Sequence, residues 1–366
     1  MSFPGRQKYD FKEKKMKKMK KILTILTALT LAAGCLAGCG NTAADTQKEN
    51  EAAEQTQAAE EKETETAEAE PVAEESAPEE TAEADVSDLT LAAPSGAPAL
   101  AVAAMAVENP DKFIFVNAET ITAEFSNKSS DFIIAPLNAG AKLYKAGKST
   151  YKLGAVISWG NLFFASQKEN FSLDDINGED ITLFGENTIN ASVALYALSA
   201  NGIEPASVSY LASAADTQSL LLSDPEAIVM TAEPALTAAK MKNEAVAGYA
   251  VNDLFKEAAG MDGYAQAALF IKAETIESQP EKVDAFLARV SEAAGKCESD
   301  IDAVAEASAA LEILPNAKVA AAAIPGCAIR YMAAWDAKEL IEKTAEIDLS
   351  QYGGGVPSDD FYYGAE

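Results

Sequence analysis

Short apolar runs separated by polar turns set the rhythm of this chain from Asp88 onward. Leu89–Ala93, Phe113–Val116, Asp131–Ala135, Leu153–Ser158, Leu162–Ser166, Ala227–Ala232 and Ala267–Lys272 are each too short for a helix and rich in residues that suit a strand. Helical patterns follow several of them, over Ala99–Val107, from Asn138 to near Gly147, and over Val193–Ala200. The stretch Ser172–Ala239 shows the rhythm most plainly, with strand, helix, strand and helix joined by short polar turns. Beyond Pro280 the pattern turns helical, over Glu281–Ala294, Asp300–Leu311, Ala317–Ala323 and Ala334–Ala345. The chain therefore predicts an α/β fold with two halves that each read βαβαβ. In such folds ligands sit at the carboxyl ends of the strands, where the βα turns lie.

Composition narrows the chemistry. The 366 residues include no histidine, which removes His-based acid–base catalysis, Ser-His-Asp triads and His metal sites. No metal-ligand spacing, Cys-x-x-Cys or phosphate-cradling glycine loop is present, so neither a metal nor a cofactor is expected. The net charge is −28 and unevenly spread. Residues 1–38 hold nine Lys/Arg and two Asp/Glu, leaving 20 basic against 55 acidic residues in the remainder. So acidic a surface repels nucleic acid, which is excluded as a partner.

The N-terminus reads as an address. Lys14–Lys21 is densely basic, Ile22–Leu31 is apolar, and small residues lead up to Cys39, the layout of a secretory signal. Leu36-Ala37-Gly38-Cys39 resembles the lipobox of bacterial lipoproteins. That resemblance implies a signal peptide over 1–38, lipidation at Cys39, and anchorage at the outer face of the cytoplasmic membrane. From Gly40 to Ser87 the chain is rich in Ala, Glu, Thr and Gln. Sixteen acids up to Asp85 face only Lys48 and Lys62. Too little apolar surface is available there to offset ordering entropy, so 39–87 is expected to be a disordered acidic tether.

The order of turns carries a family resemblance. Pro94–Pro98, Asp131–Pro136, Ser172–Ile181, Gly202–Val208 and Glu233-Pro234 follow one another as in the solute-binding proteins of ABC importers. The group that handles taurine, alkanesulfonates, nitrate and thiamine-precursor pyrimidines is the most similar. The C-terminal Gly353–Tyr363 run resembles a tail of lipoprotein members, whereas Asp224-Pro225-Glu226 departs from the family's usual turn. The resemblance implies the two-lobed type II periplasmic-binding-protein fold with two crossing hinge strands. Lobe one is then expected over 88–160 and 268–366, and lobe two over 161–267, with crossings near Val156–Phe164 and Gln266–Lys272. It also implies a non-enzymatic monomer whose partners are a small solute, the permease and ATPase subunits, and the membrane. Pyrimidine synthases that resemble this family use an active-site histidine, which this chain lacks.

Helix N-termini offer free N–H groups and partial positive charge, so the βα turns supply the candidate ligand contacts. These are Ser95, Gly96, Ala97, Asn117 and Asn138 from lobe one, and Asn187, Thr188, Asn190 and Glu233 from lobe two. Trp159, beside a crossing, is a candidate flat wall for the ligand. Ser95, Asn138 and Thr188 also read as plain N-caps, and Trp159 as a core aromatic. No Lys or Arg lies in these turns, and after the signal only Arg289 and Arg330 remain as arginines. A neutral or amine-bearing heterocycle is therefore favoured, with a sulfonate second. A surface sensor or adhesin that has kept the fold is the alternative. Cys297 and Cys327 fit either a disulfide or two buried thiols.

Overall fold

A computed structural model describes residues 84–365. The expected signal peptide, the expected lipidation site Cys39 and all but the last residues of the expected acidic tether lie outside them. Val86, within that expected tether, is already buried against the first sheet's core. No helix of the described residues is long and apolar enough to cross a membrane.

Eleven strands are present among the described residues: β1 Leu91–Pro94, β2 Phe113–Val116, β3 Phe132–Pro136, β4 Lys152–Ser158, β5 Leu162–Ser166, β6 Asp180–Phe184, β7 Ser207–Leu211, β8 Ile228–Ala232, β9 Ala247–Ala250, β10 Ala267–Ile271 and β11 Ile329–Ala333. They form two mixed sheets, one ordered β11-β4-β10-β3-β1-β2 and the other β7-β6-β8-β5-β9. In the first, β1 runs parallel to β2 and β3, while β10 is antiparallel to both β3 and β4. In the second, β6 is parallel to β7 and β8, and β5 is antiparallel to β8 and β9. The molecule is thus a two-lobed α/β protein with one sheet per lobe.

Strand periodicity explains why the first sheet is covered on both faces. In β10, Ala268 and Phe270 enter one apolar cluster, and Ala267, Leu269 and Ile271 enter the other. In β3, Ile133 and Ala135 face the first cluster and Phe132 and Ile134 the second. Successive side chains point to opposite faces, so a continuous apolar run is what a doubly covered strand requires. The helices Leu100–Ala106, Pro280–Ser299 and Ile301–Ala310 contribute to the second cluster.

The chain passes between lobes twice, through Trp159–Asn161 after β4 and through 260–266 before β10. The second passage lies just before the expected Gln266–Lys272, because all of β10 pairs within the first sheet. The two passages touch. Gly263 adopts a φ of 136°, and a Cβ there would lie 2.2 Å from the Trp159 carbonyl oxygen. Only a residue without Cβ allows that approach.

Candidate ligand-binding site

A cavity of about 350 Å³ opens between the two sheets. It lies at the carboxyl ends of β1, β3 and β6, and beside the starts of β5 and β10, which run the opposite way. Three of its walls come from strand-to-helix turns. β1 ends at Pro94, Gly96 turns the chain with a φ of 118°, and the 3₁₀ turn Ala97–Ala99, with Pro98 second, leads into Leu100–Ala106. β3 ends at Pro136, and the helix Leu137–Lys145 begins at once. β6 ends at Phe184, and Thr188 caps the helix Ile189–Ala200 by accepting a hydrogen bond from the Ala191 N–H.

Of the expected contacts, Ser95, Asn138, Thr188 and Asn190 line the cavity. Thr188 is also a cap, its hydroxyl donating to the Gly185 carbonyl at 2.6 Å. Gly96 and Ala97 form the turn behind Ser95 without lining it, and Ala97 is buried. Asn117 is exposed, and its side-chain oxygen accepts from the Glu119 N–H in a local turn. Asn187 stands at the rim with a φ of 59°, and its carbonyl accepts from Gln351 Nε2 at 3.0 Å.

Trp159 and Glu233 do not line the cavity. The Trp159 indole is 2% exposed, donates its N–H to the Arg330 carbonyl at 2.9 Å, and carries the Arg330 guanidinium 4.6 Å above its ring. Its role is a packed hinge aromatic with a cation over one face. Glu233 is 8% exposed, and its carboxylate accepts from the Thr237 N–H and hydroxyl. Burial pushes its pKa up, and the Thr237 bonds oppose that shift. A Cβ on Gly326, which follows the helix Ala317–Ala323, would come within 2.9 Å of Glu233. Glu233 is therefore pressed against the opposite lobe.

Asn161, Gln266 and Gln351 also line the cavity and are not among the residues expected from the sequence. Asn161 and Gln266 sit where a strand begins rather than ends, so a rule that looks only after strands passes over them. Gln351 belongs to the turn Leu349–Tyr352, where Asp348 also accepts a hydrogen bond from Ser192 of the second lobe. The polar lining thus consists of amides and hydroxyls. Pro94, Pro98, Ala118, Ile121, Pro136, Ala139, Ile189 and Ala267 supply the apolar remainder. No acidic or basic side chain is part of it. Cys297 and Cys327 lie elsewhere, as two free buried thiols.

The chain matches no protein-family model, and no curated protein matches it by sequence. Solved structures do match. An ABC transporter from Parabacteroides distasonis superposes with a TM-score of 0.64 at 18% identity, over 76% of this chain and 99% of that one. The aliphatic sulphonate binding protein SsuA from Escherichia coli gives 0.59 at 16% identity, over 76% and 92%. The ligand-binding component of an ABC-type import system from Staphylococcus aureus gives 0.58 at 12%, over 75% and 95%. With the two sheets and their two connecting passages, this likeness establishes for residues 84–365 the two-lobed type II periplasmic-binding-protein fold of ABC-importer solute-binding proteins.

Proposed function

We propose that this protein is the extracytoplasmic substrate-binding lipoprotein of an ABC importer. Anchored through lipid on Cys39 and working as a monomer, it captures a small organic solute between its lobes and presents the loaded form to permease and ATPase subunits. The observation that carries this reading is the cavity, which both lobes line with neutral hydrogen-bonding groups set among apolar walls. A ligand that touches both lobes at once favours the closed arrangement, and a ligand that touches one does not. Small-solute sites combine an apolar lining with a few placed polar groups in this way.

Chemistry favours a neutral, oxygen-bearing solute. The cavity lining contains no carboxylate to balance a ligand amine and no Lys or Arg to balance a strong anion. A sulfonate is the second reading, supported by the N-termini of Leu137–Lys145 and Ile189–Ala200, whose first turns border the cavity through Asn138, Ala139, Ile189 and Asn190. Backbone N–H groups at such termini hold anions without a cationic side chain. A thermal-shift screen of lactams, cyclic ureas, sulfonates and primary amines tests both readings. A bound solute at a hundred times its Kd adds about 2.7 kcal/mol of stability. Stabilisation by amines alone would overturn the assignment of solute class.

A further inference from the structure

Among the described residues, a chain of side-chain amides runs from the second lobe through both passages to the cavity, and its polarity is set at one end. Asn161 Nδ2 lies 2.9 Å from the Glu233 carbonyl oxygen. That oxygen only accepts, so Asn161 must turn its NH2 towards it and its oxygen away. The Asn161 oxygen accepts from Gln266 Nε2 at 3.0 Å. Gln266 Oε1 accepts from the Ser158 hydroxyl at 3.1 Å, consistent with the same orientation. Gln266 Nε2 then also reaches the Asn190 oxygen, at 3.2 Å. The fully buried Tyr264 hydroxyl donates to that same oxygen at 3.0 Å.

Two donors therefore converge on Asn190 Oδ1, and the orientation of each amide forces the next. Asn190 lines the cavity, and its Nδ2 has no hydrogen-bond partner within the described protein. We infer that Asn190 is a specificity-determining residue whose amide is locked with both N–H donors free for the solute, so that the site selects ligands presenting acceptor oxygens. The inference rests on the cavity being the binding site, as proposed above. It goes further in tying ligand choice to Gln266 and to the backbone carbonyl of Glu233.

The pair N190D and Q266E tests the polarity without any ligand. In N190D one carboxylate oxygen keeps the bonds from Tyr264 and Gln266, and the full-length protein in mild detergent should melt within about 3 °C of the unsubstituted protein. In Q266E a carboxylate oxygen meets the Asn161 and Asn190 oxygens, and Asn161 cannot turn without facing the Glu233 carbonyl. Its melting temperature should fall by more than about 5 °C, or the protein should fail to fold. The carboxylate introduced by N190D also gains from the helix N-terminus beneath it, so the comparison of the two variants decides. N190D falling as far as Q266E, or Q266E melting with the unsubstituted protein, overturns the inferred polarity.

Titration with 2-pyrrolidinone, ethanesulfonate and cyclopentylammonium then tests selection. The unsubstituted protein should take only the first two, and N190D should bind them at least about tenfold more weakly, the loss of one hydrogen bond of about 1.4 kcal/mol. Equal binding by both proteins removes Asn190 from specificity. If none of the three binds either protein, the specificity assignment falls together with the binding reading, while the melting data still decide the amide polarity.

Discussion

Glu233 holds a buried carboxyl whose pKa is raised by burial. A carboxyl raised in the folded state binds its proton there at pH values where the unfolded chain has released it. Stability therefore falls as pH climbs from the ordinary Glu range, about 4.3, through the raised value. E233Q should remove that decline and gain stability relative to the unsubstituted protein near neutral pH. Parallel melts of the two proteins between pH 4 and 8 read the difference, and two parallel curves would remove the buried-carboxyl account. Gly263 is a second telling residue. G263A places a methyl group against the Trp159 carbonyl at a φ of 136°, and should cost roughly 2–5 kcal/mol in urea unfolding. These residues also show how far the sequence can be read. Ser95, Asn138, Thr188 and Asn190 are recognisable because each follows a strand and opens a helix, a local property. Trp159 and Glu233 look equally suited to a ligand in the sequence. Arg330 over Trp159 and Gly326 against Glu233 are neighbours brought together by the fold, and Thr237, four residues on, ties up the Glu233 carboxylate locally.

At the scale of elements, the apolar strands are the legible ones. Phe113–Val116 and Leu162–Ser166 match β2 and β5 residue for residue, and Ala317–Ala323 matches its helix. β9 and β11 carry no such signal. β9 is the four residues Ala-Gly-Tyr-Ala at a sheet edge, and β11 carries Arg330 on its exposed side, so neither shows the apolar run that marks a strand. Pairing along a neighbour, rather than local composition, makes both of them strands. The expected helix Ala334–Ala345 begins only at Lys338, because Ala334–Ala337 form the turn leaving β11. The C-terminal run is more than a tail. Phe361 and Tyr362 are buried, Tyr144 donates to Asp360 at 2.8 Å, and Tyr363 donates to Asp284 at 2.7 Å. F361A should lower unfolding free energy by about 3–5 kcal/mol, the usual cost of removing a buried aromatic ring. A loss below about 1 kcal/mol in a denaturant titration would show that the tail merely lies on the surface.

The whole molecule joins two sheets that share one apolar cluster across the hinge, running from Phe270 through Trp159 and Tyr264 to Leu183. The lobes also touch at the rim, through Ser192 to Asp348 and Gln351 to the Asn187 carbonyl. Cavity lining and lobe contact therefore meet in the same few turns, so a solute seated there would touch both lobes. Ala118 is exposed and lines the cavity, so A118W should fill the site while leaving both cores intact. The most direct measurement is native mass spectrometry of the full-length protein, purified gently from the cells that make it, beside A118W. The account predicts a small organic adduct on the unsubstituted protein that is missing from A118W, with both proteins folded. No adduct on the unsubstituted protein, or the same adduct on both, would contradict it.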